Sequence, residues 1–212
     1  MPNTSRYRLL VRRASELRKH MIPAKFTPTG TYPDRVQDRA RGYRLLMHAE
    51  IEAYLEDMAR AAVRKQITEW KRSRSSNNLL LAFLACYHSG WVEYDGTNQA
   101  KLIELAKFRK QITEKVEDII DLAQQQFIHR LQENHGVREK NLRTLILPTG
   151  IDLDSLDQTW ITDLDDFGKK RGDLAHLSKS TTGAINPQDE LNRIKALLRG
   201  LKALDEKLQP MV

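Results

Sequence analysis

The sequence predicts an all-α protein, a helical bundle of four or more long helices with short additional helices. Three observations carry that expectation. Apolar residues recur at spacings of three and four along most of the 212 residues. Proline and glycine cluster between the periodic segments rather than inside them. No segment shows the strict alternation of a half-buried strand, and no internal repeat is visible.

Residues 5–20 read as a short basic helix. "IPAKFTPTGTYPD", residues 22–34, holds three prolines and a glycine and must be a connector. The first long helix is expected from about Asp38 to about Ser73, with Ile51, Tyr54, Leu55, Met58 and Ala62 on one face. "SSNN" interrupts it, and Asn77 or Asn78 can cap a short apolar helix over 79–88. After the turn-rich 89–98, a helix over about 98–134 keeps its period through Leu102, Ile112, Ile119, Phe127 and Leu131, and Gly136 stops it. A short helix over 138–147 ends at Pro148, and another is expected over about 157–178. Asn186 before Pro187 is a helix start, a capping side chain followed by proline at the first helical position. Ile194, Leu197, Leu198, Leu201 and Leu204 carry that last helix to about Leu208. The domain reading is a basic helix and Pro-rich connector over 1–37, packed on or extending from a helical domain over 38–212.

Thirty-five basic residues against 28 acidic ones leave a net charge of +7, compatible with a nucleic-acid partner. The charge gathers at residues 6–25 and in "RKQITEWKRSR", residues 64–74, and either cluster taken alone also reads as a solvated helix face. No apolar run is long enough to span a bilayer, and the N-terminus lacks the apolar core of a secretory signal. Cys86, the only cysteine, reads as an inert buried thiol in an apolar setting. Together these favour a cytoplasmic location as the expectation. No Gly-rich phosphate loop, H-E-x-x-H, G-x-S-x-G or cysteine pair occurs, so neither a metal nor a cofactor is expected. Trp91 and Trp160 read as loop anchors in the core rather than stacking platforms.

Two polar stretches stand out from this leucine-rich background. Arg44, His48, Glu52 and Glu56 fall at intervals of four on the first long helix. They form either a solvated stripe opposite the apolar face or one border of a groove. "GKKRGDLAHLS", residues 168–178, leaves few apolar residues to face a core. Within it Arg171 and His176 are five apart, so on a straight helix they point about 140° away from each other. Asp173 and His176 share a face, and the carboxylate could orient the imidazole. Gly168 and Gly172 weaken the helix and would admit a second backbone or a phosphate.

The R-x-x-x-x-H pattern of Arg171 to His176 resembles the signature of HEPN ribonucleases, and the likeness is closest to RiboL-PSP-HEPN domains. "RGYRLLMHAEIEAYLE", residues 41–56, resembles that branch's first helix. "LPTGIDLDSLDQTW…FGKKRGDLAH" and the following "NPQDELNRIKALLRGLKALDEKL" resemble its C-terminal half. The resemblance implies a metal-independent endoribonuclease, with Arg171 and His176 catalytic and Asp173 and Gly172 supporting. It also implies a homodimer that brings both motifs to one axis, and a role as a toxin, with an antitoxin or defence-system partner, or as an anti-phage effector. One departure is Gly172, where the family often carries a polar residue directly after the arginine. The residue types suit RNA cleavage: the 2′-OH is the nucleophile, a histidine can move protons near neutrality, and an arginine can hold two phosphate oxygens. The rival reading is a non-catalytic helical module that binds RNA or protein.

Overall fold

The computed structural model describes residues 3–75, 77–87, 116–176 and 183–212, with the backbone alone at Asp118, Ala175 and His176. Trp91 and the first part of the helix expected over 98–134 lie outside the described residues. What is described is all-α, with no strand among those residues. The helices are α1 (Ser5–Met21), α2 (Asp34–Ser73), α3 (Asn78–Tyr87), α4 (Val116–Gln132), α5 (Glu139–Ile146), α6 (Gln158–His176) and α7 (Pro187–Leu208). Single 3-10 turns at Leu147–Thr149, Leu153–Ser155 and Gln209–Met211 complete the order.

α2 is the spine. Its 40 residues span about 60 Å, and it touches every other helix named. It begins four residues before the expected Asp38, because Pro33 already supplies the N-cap and Asp34 opens the first turn. Ile51, Tyr54, Leu55, Met58 and Ala62 are buried as their spacing requires. α1 lies along α2 and buries Tyr7, Leu10, Ala14 and Leu17 in the same core. Thr4 caps α1 by accepting from the Tyr7 N–H at 3.1 Å. Its own N–H donates to the buried Asp205 of α7 at 2.9 Å, and Tyr54 donates to the same carboxylate at 2.9 Å. That carboxylate therefore ties α1, α2 and α7 together.

Asn77 is the residue that caps α3, accepting from the Leu80 N–H at 2.9 Å. Asn186 caps α7, accepting from the Gln188 N–H at 2.9 Å. Trp160 is buried and donates to the Leu197 carbonyl at 3.1 Å. A Cβ on Gly200 would stand 2.1 Å from its ring, so α6 and α7 meet at a contact that needs glycine. Cys86 corrects an expectation, for it is exposed. α3 buries only the face of Leu79, Leu80, Phe83 and Tyr87, and Cys86 sits a step around the helix from it. No described helix is long and apolar enough to cross a membrane.

Candidate functional site

The polar stripe of α2 is not a solvated one. α6 and α7 pack against α2 and cover part of it, so Arg44 is 9% exposed and His48 1%. The two then take different parts. Arg44 donates through Nε to Glu190 of α7 at 2.8 Å and through a second nitrogen to the other carboxylate oxygen. Glu190 is itself 2% exposed and also holds Arg193. Arg44 is thus committed to a buried ion pair and is not a groove residue.

His48 lies at the bottom of a cleft of about 610 Å3. One wall is α6, with Gly168, Lys169, Arg171, Gly172 and Asp173. The other is the connection from α4 into α5, with Glu133, His135, Gly136, Arg138, Lys140 and Asn141. Polar contacts hold that connection in place. Asn134, buried, donates to Glu56 at 2.8 Å and accepts from Asn141 at 2.9 Å. Asp165 of α6 accepts two bonds of 3.1 Å from Arg138 and one of 3.0 Å from the Glu139 N–H at the start of α5. The Arg138 guanidinium holds the Asp165 carboxyl below its usual range. An aspartate on one helix therefore caps the next, where α5 has no side-chain cap of its own.

The two glycines of α6 divide their work. A Cβ on Gly168 would lie 2.8 Å from Arg138 Cγ and 3.3 Å from its backbone nitrogen. The close approach that this glycine permits is to the 137–138 backbone of the same chain. A Cβ on Gly172 would meet nothing within 4 Å. Of the second backbone or phosphate that these glycines were expected to admit, Gly168 takes a backbone of the same chain, and Gly172 stays open on the cleft.

Arg171 is half-buried, and among the described residues it pairs with no carboxylate. Burial, reinforced by the Arg171 charge, pushes the His48 pKa down to about 4, so its imidazole is neutral at pH 7. The His48 ring leans on Phe167, centroids 5.8 Å apart. Its Nδ1 is buried without a hydrogen-bond partner, and the Glu52 carboxylate stands 3.5 Å away. Burial and neighbouring Glu56 raise the Glu52 pKa, while Arg171 and His135 oppose the rise. Four of the expected residues, His48, Arg171, Gly172 and Asp173, thus border one cleft, and Glu52 lies behind His48. α6 runs as one helix to His176, whose side chain lies outside the described residues. Among the described residues no three of His, Cys, Asp and Glu gather as a metal ion would require.

The opposite wall, with His135, Lys140 and Asn141, went unread in the sequence. Its signal was there in "ENHGVREKN", residues 133–141, a polar run with a histidine, two asparagines, an arginine and a lysine around the Gly136 helix stop. The basic clusters, by contrast, are partly matched within the chain. Arg6 pairs with Asp57 at 2.8 Å and Arg13 with Glu50 at 3.2 Å. Lys71 pairs with Asp121 at 2.8 Å and Arg74 with Glu117 at 2.8 Å.

A comparison with protein families matches residues 8–209 to RiboL-PSP-HEPN. Neither curated proteins nor solved structures give a match.

Proposed function

We propose a ribonuclease, and the premise is that the chain belongs to the RiboL-PSP-HEPN family. The reading is a metal-independent endoribonuclease that cleaves RNA by attack of its own 2′-OH, with Arg171 and His176 catalytic and Asp173 supporting. The observation that carries it is Arg171. It is half-buried, has no acidic partner within ion-pair distance among the described residues, and is set on the wall of a cleft with Lys140 and Lys169. An arginine so placed can bind two oxygens of a phosphodiester and neutralise the phosphorane.

In this mechanism a base takes the 2′-OH proton, the 2′-oxygen bonds to phosphorus, and the P–O5′ bond breaks. An acid protonates the departing 5′-oxygen, leaving a 2′,3′-cyclic phosphate and a 5′-hydroxyl. His176 performs one of these transfers. His48 is a poor acid for the other, because its imidazole stays neutral until about pH 4. A second copy of the chain, bringing its own His176 to a shared axis, meets the need. Leu45 and Leu46, 36% and 41% exposed beside His48 on α2, offer such a dimer apolar contact. A cytoplasmic toxin or anti-phage effector, with an antitoxin or defence-system partner, is the role we assign; that role rests on the family alone.

The test is cleavage of single-stranded RNA in excess EDTA, with the product ends identified. The reading expects cyclic phosphate ends from the wild type, and no cleavage from Arg171→Ala or His176→Ala with helicity and melting retained. Cleavage that stops in EDTA, or that cuts 2′-deoxy substrate equally well, sinks the mechanism. Light scattering across a dilution series should show a dimer, and a monomer fully active per chain at every concentration removes the shared axis. One observation favours a second reading, a helical module that binds RNA or protein without cutting. Gly172 leaves the position after the arginine without a polar side chain. Expression in bacteria separates the two, because only a nuclease should impair growth and only then should His176→Ala relieve it.

A further inference from the structure

We infer that the joint outer face of α1 and α7, neither of which lines the cleft, is a second contact surface for RNA and holds phosphates distant from the bond being cut. The identity of the polymer rests on the ribonuclease reading; its being a polyanion rests on the face itself.

α1 has two charged flanks, and folding treats them differently. Arg6 and Arg13 turn toward α2 and pair with Asp57 and Glu50. Arg8, Arg12, Ser15 and Lys19 are spaced four, three and four apart, so they form one stripe opposite the buried Tyr7, Leu10, Ala14 and Leu17. All four are exposed. α7 lies alongside. Thr4 donates to Asp205 at 2.9 Å and the Tyr7 hydroxyl to the Leu198 carbonyl at 2.9 Å, so the two helices run antiparallel. On this side α7 turns out its own exposed stripe of Asn192, Lys195, Arg199 and Lys202, spaced three, four and three apart. The register of those two bonds sets Arg8 near the level of Arg199 and Arg12 near that of Lys195. Each stripe is about 15 Å long, and packed helices lie roughly 8–10 Å apart.

Among the described residues Arg12, Lys19, Lys195 and Arg199 pair with no carboxylate, and Arg8 donates to the Asn3 carbonyl at 2.7 Å, which leaves its charge unmatched. Acids of α7 stand at the two ends of the face, Asp189 in the first turn and Glu206 at 3.8 Å from Lys202. Like charges gathered in this way work against the compact fold, and a polyanion offsets that. One exposed cation is screened by salt and contributes little, so the face acts by number. A membrane fits it worse, because a helix lying on lipid keeps an apolar side free and α1 has committed Tyr7, Leu10, Ala14 and Leu17 to the core. A protein partner also fits worse, because charged residues are depleted at the centre of such interfaces and Arg12, Lys195 and Arg199 are the centre here. Cations accompanied by a hydroxyl and an amide, here Ser15 and Asn192, are the groups that hold phosphate and sugar without reading sequence.

The probes are a hairpin RNA long enough to reach both surfaces, a trinucleotide that fills the cleft alone, and vesicles containing phosphatidylserine. The test variant is Arg12→Ala/Lys195→Ala/Arg199→Ala. Its control removes the same charge from α2, Arg60→Ala/Arg64→Ala/Arg72→Ala. All six side chains are exposed, so both proteins should keep the helicity and melting of the wild type. The test variant should bind the hairpin at least roughly tenfold more weakly, and its slope of log affinity against log salt should flatten by about 2. Its KM should rise more for the hairpin than for the trinucleotide. The control should lose less than roughly threefold of hairpin affinity. The proposal is overturned if the two variants weaken binding alike, since net charge alone would then explain it, or if the test variant binds the hairpin as the wild type does. Vesicles bound more tightly than the hairpin would assign the face to a membrane and overturn it too. Cleavage is scored separately. A hairpin that the wild type cuts and the test variant binds undiminished sinks the face and leaves the nuclease, while binding lost in the test variant with no RNA cut by the wild type does the reverse.

Discussion

Alanine at Gly172 should stabilise the protein and alanine at Gly168 should destabilise it, though the two lie four apart on one helix. Glycine costs about 1 kcal/mol relative to alanine in a helix interior, so propensity alone favours both changes equally. Space separates them. At Gly172 the new methyl meets nothing within 4 Å and the full gain is realised. At Gly168 it would stand 2.8 Å from Arg138 Cγ and 3.3 Å from the Arg138 nitrogen. The first contact belongs to a side chain clamped by two 3.1 Å bonds to Asp165, and the second is backbone, so neither gives way cheaply. Overpacking of this kind costs about 1–3 kcal/mol, which outweighs the propensity gain. The two variants should therefore differ by about 2 kcal/mol, or roughly 4–8 °C in Tm for a chain of this size.

The assay is thermal unfolding by circular dichroism at one fixed protein concentration, since a dimer would make Tm depend on concentration. Adding Arg138→Ala to Gly168→Ala removes the Cγ and should recover part of the loss. Equal rises in Tm for both single variants would refute the close approach of residues 137–138 to α6, and with it the wall of the cleft.

Arg44→Met should cost about 3 kcal/mol by leaving the Glu190 carboxylate buried with Arg193 alone, measured by urea unfolding; a loss under 1 kcal/mol would mean the pair is solvated. Stability should fall as pH drops from about 6.5 toward 4, because His48 titrates near 6.5 in the unfolded chain and near 4 in the folded one. In that window the unfolded chain binds more protons, so the contribution of about 3 kcal/mol is complete above 6.5 and is lost on the way down. Glu52, whose pKa is raised, works in the opposite sense, so the slope in His48→Phe should be flat or reversed; an unchanged slope would place the titration elsewhere. Asp173→Ala should lower RNA cleavage less than His176→Ala does, and a rate within twofold of wild type removes Asp173 from the site.

Helices were legible because burial repeats with the helical period. The Asn186-Pro187 start and the Leu197, Leu201 and Leu204 ladder needed no partner to be recognised. The site was legible only where one helix carries it. Arg171, Gly172 and Asp173 border the cleft, but its far wall comes from residues 133–141, about thirty positions earlier, and spacing along a chain says nothing of what packs across. The same blindness left Arg44 and His48 undecided between a solvated face and the border of a groove. Intervals of four put them on one stripe, and whether that stripe is wet depends on α6 and α7. Arg44 found an acid across that interface and His48 did not, a difference no local pattern encodes.

Net charge was a weak guide for a related reason. A surplus of +7 says that cations are present, not which of them can act on a ligand. Arg6, Arg13, Lys71 and Arg74 belong to the densest basic stretches, and each holds an acid of a neighbouring helix. Arg12 and Lys19 are exposed, where water and salt screen them. Lys140, Lys169 and Arg171 are sparse in the sequence but share one cleft with a buried floor. Arg171 is half-buried there, so a phosphate gains more from its charge than from a cation on an open helix face. Among the described residues folding has matched many of the clustered cations and left others without an ion pair around a concave surface, so the place to look for an anion is where ion pairing stops.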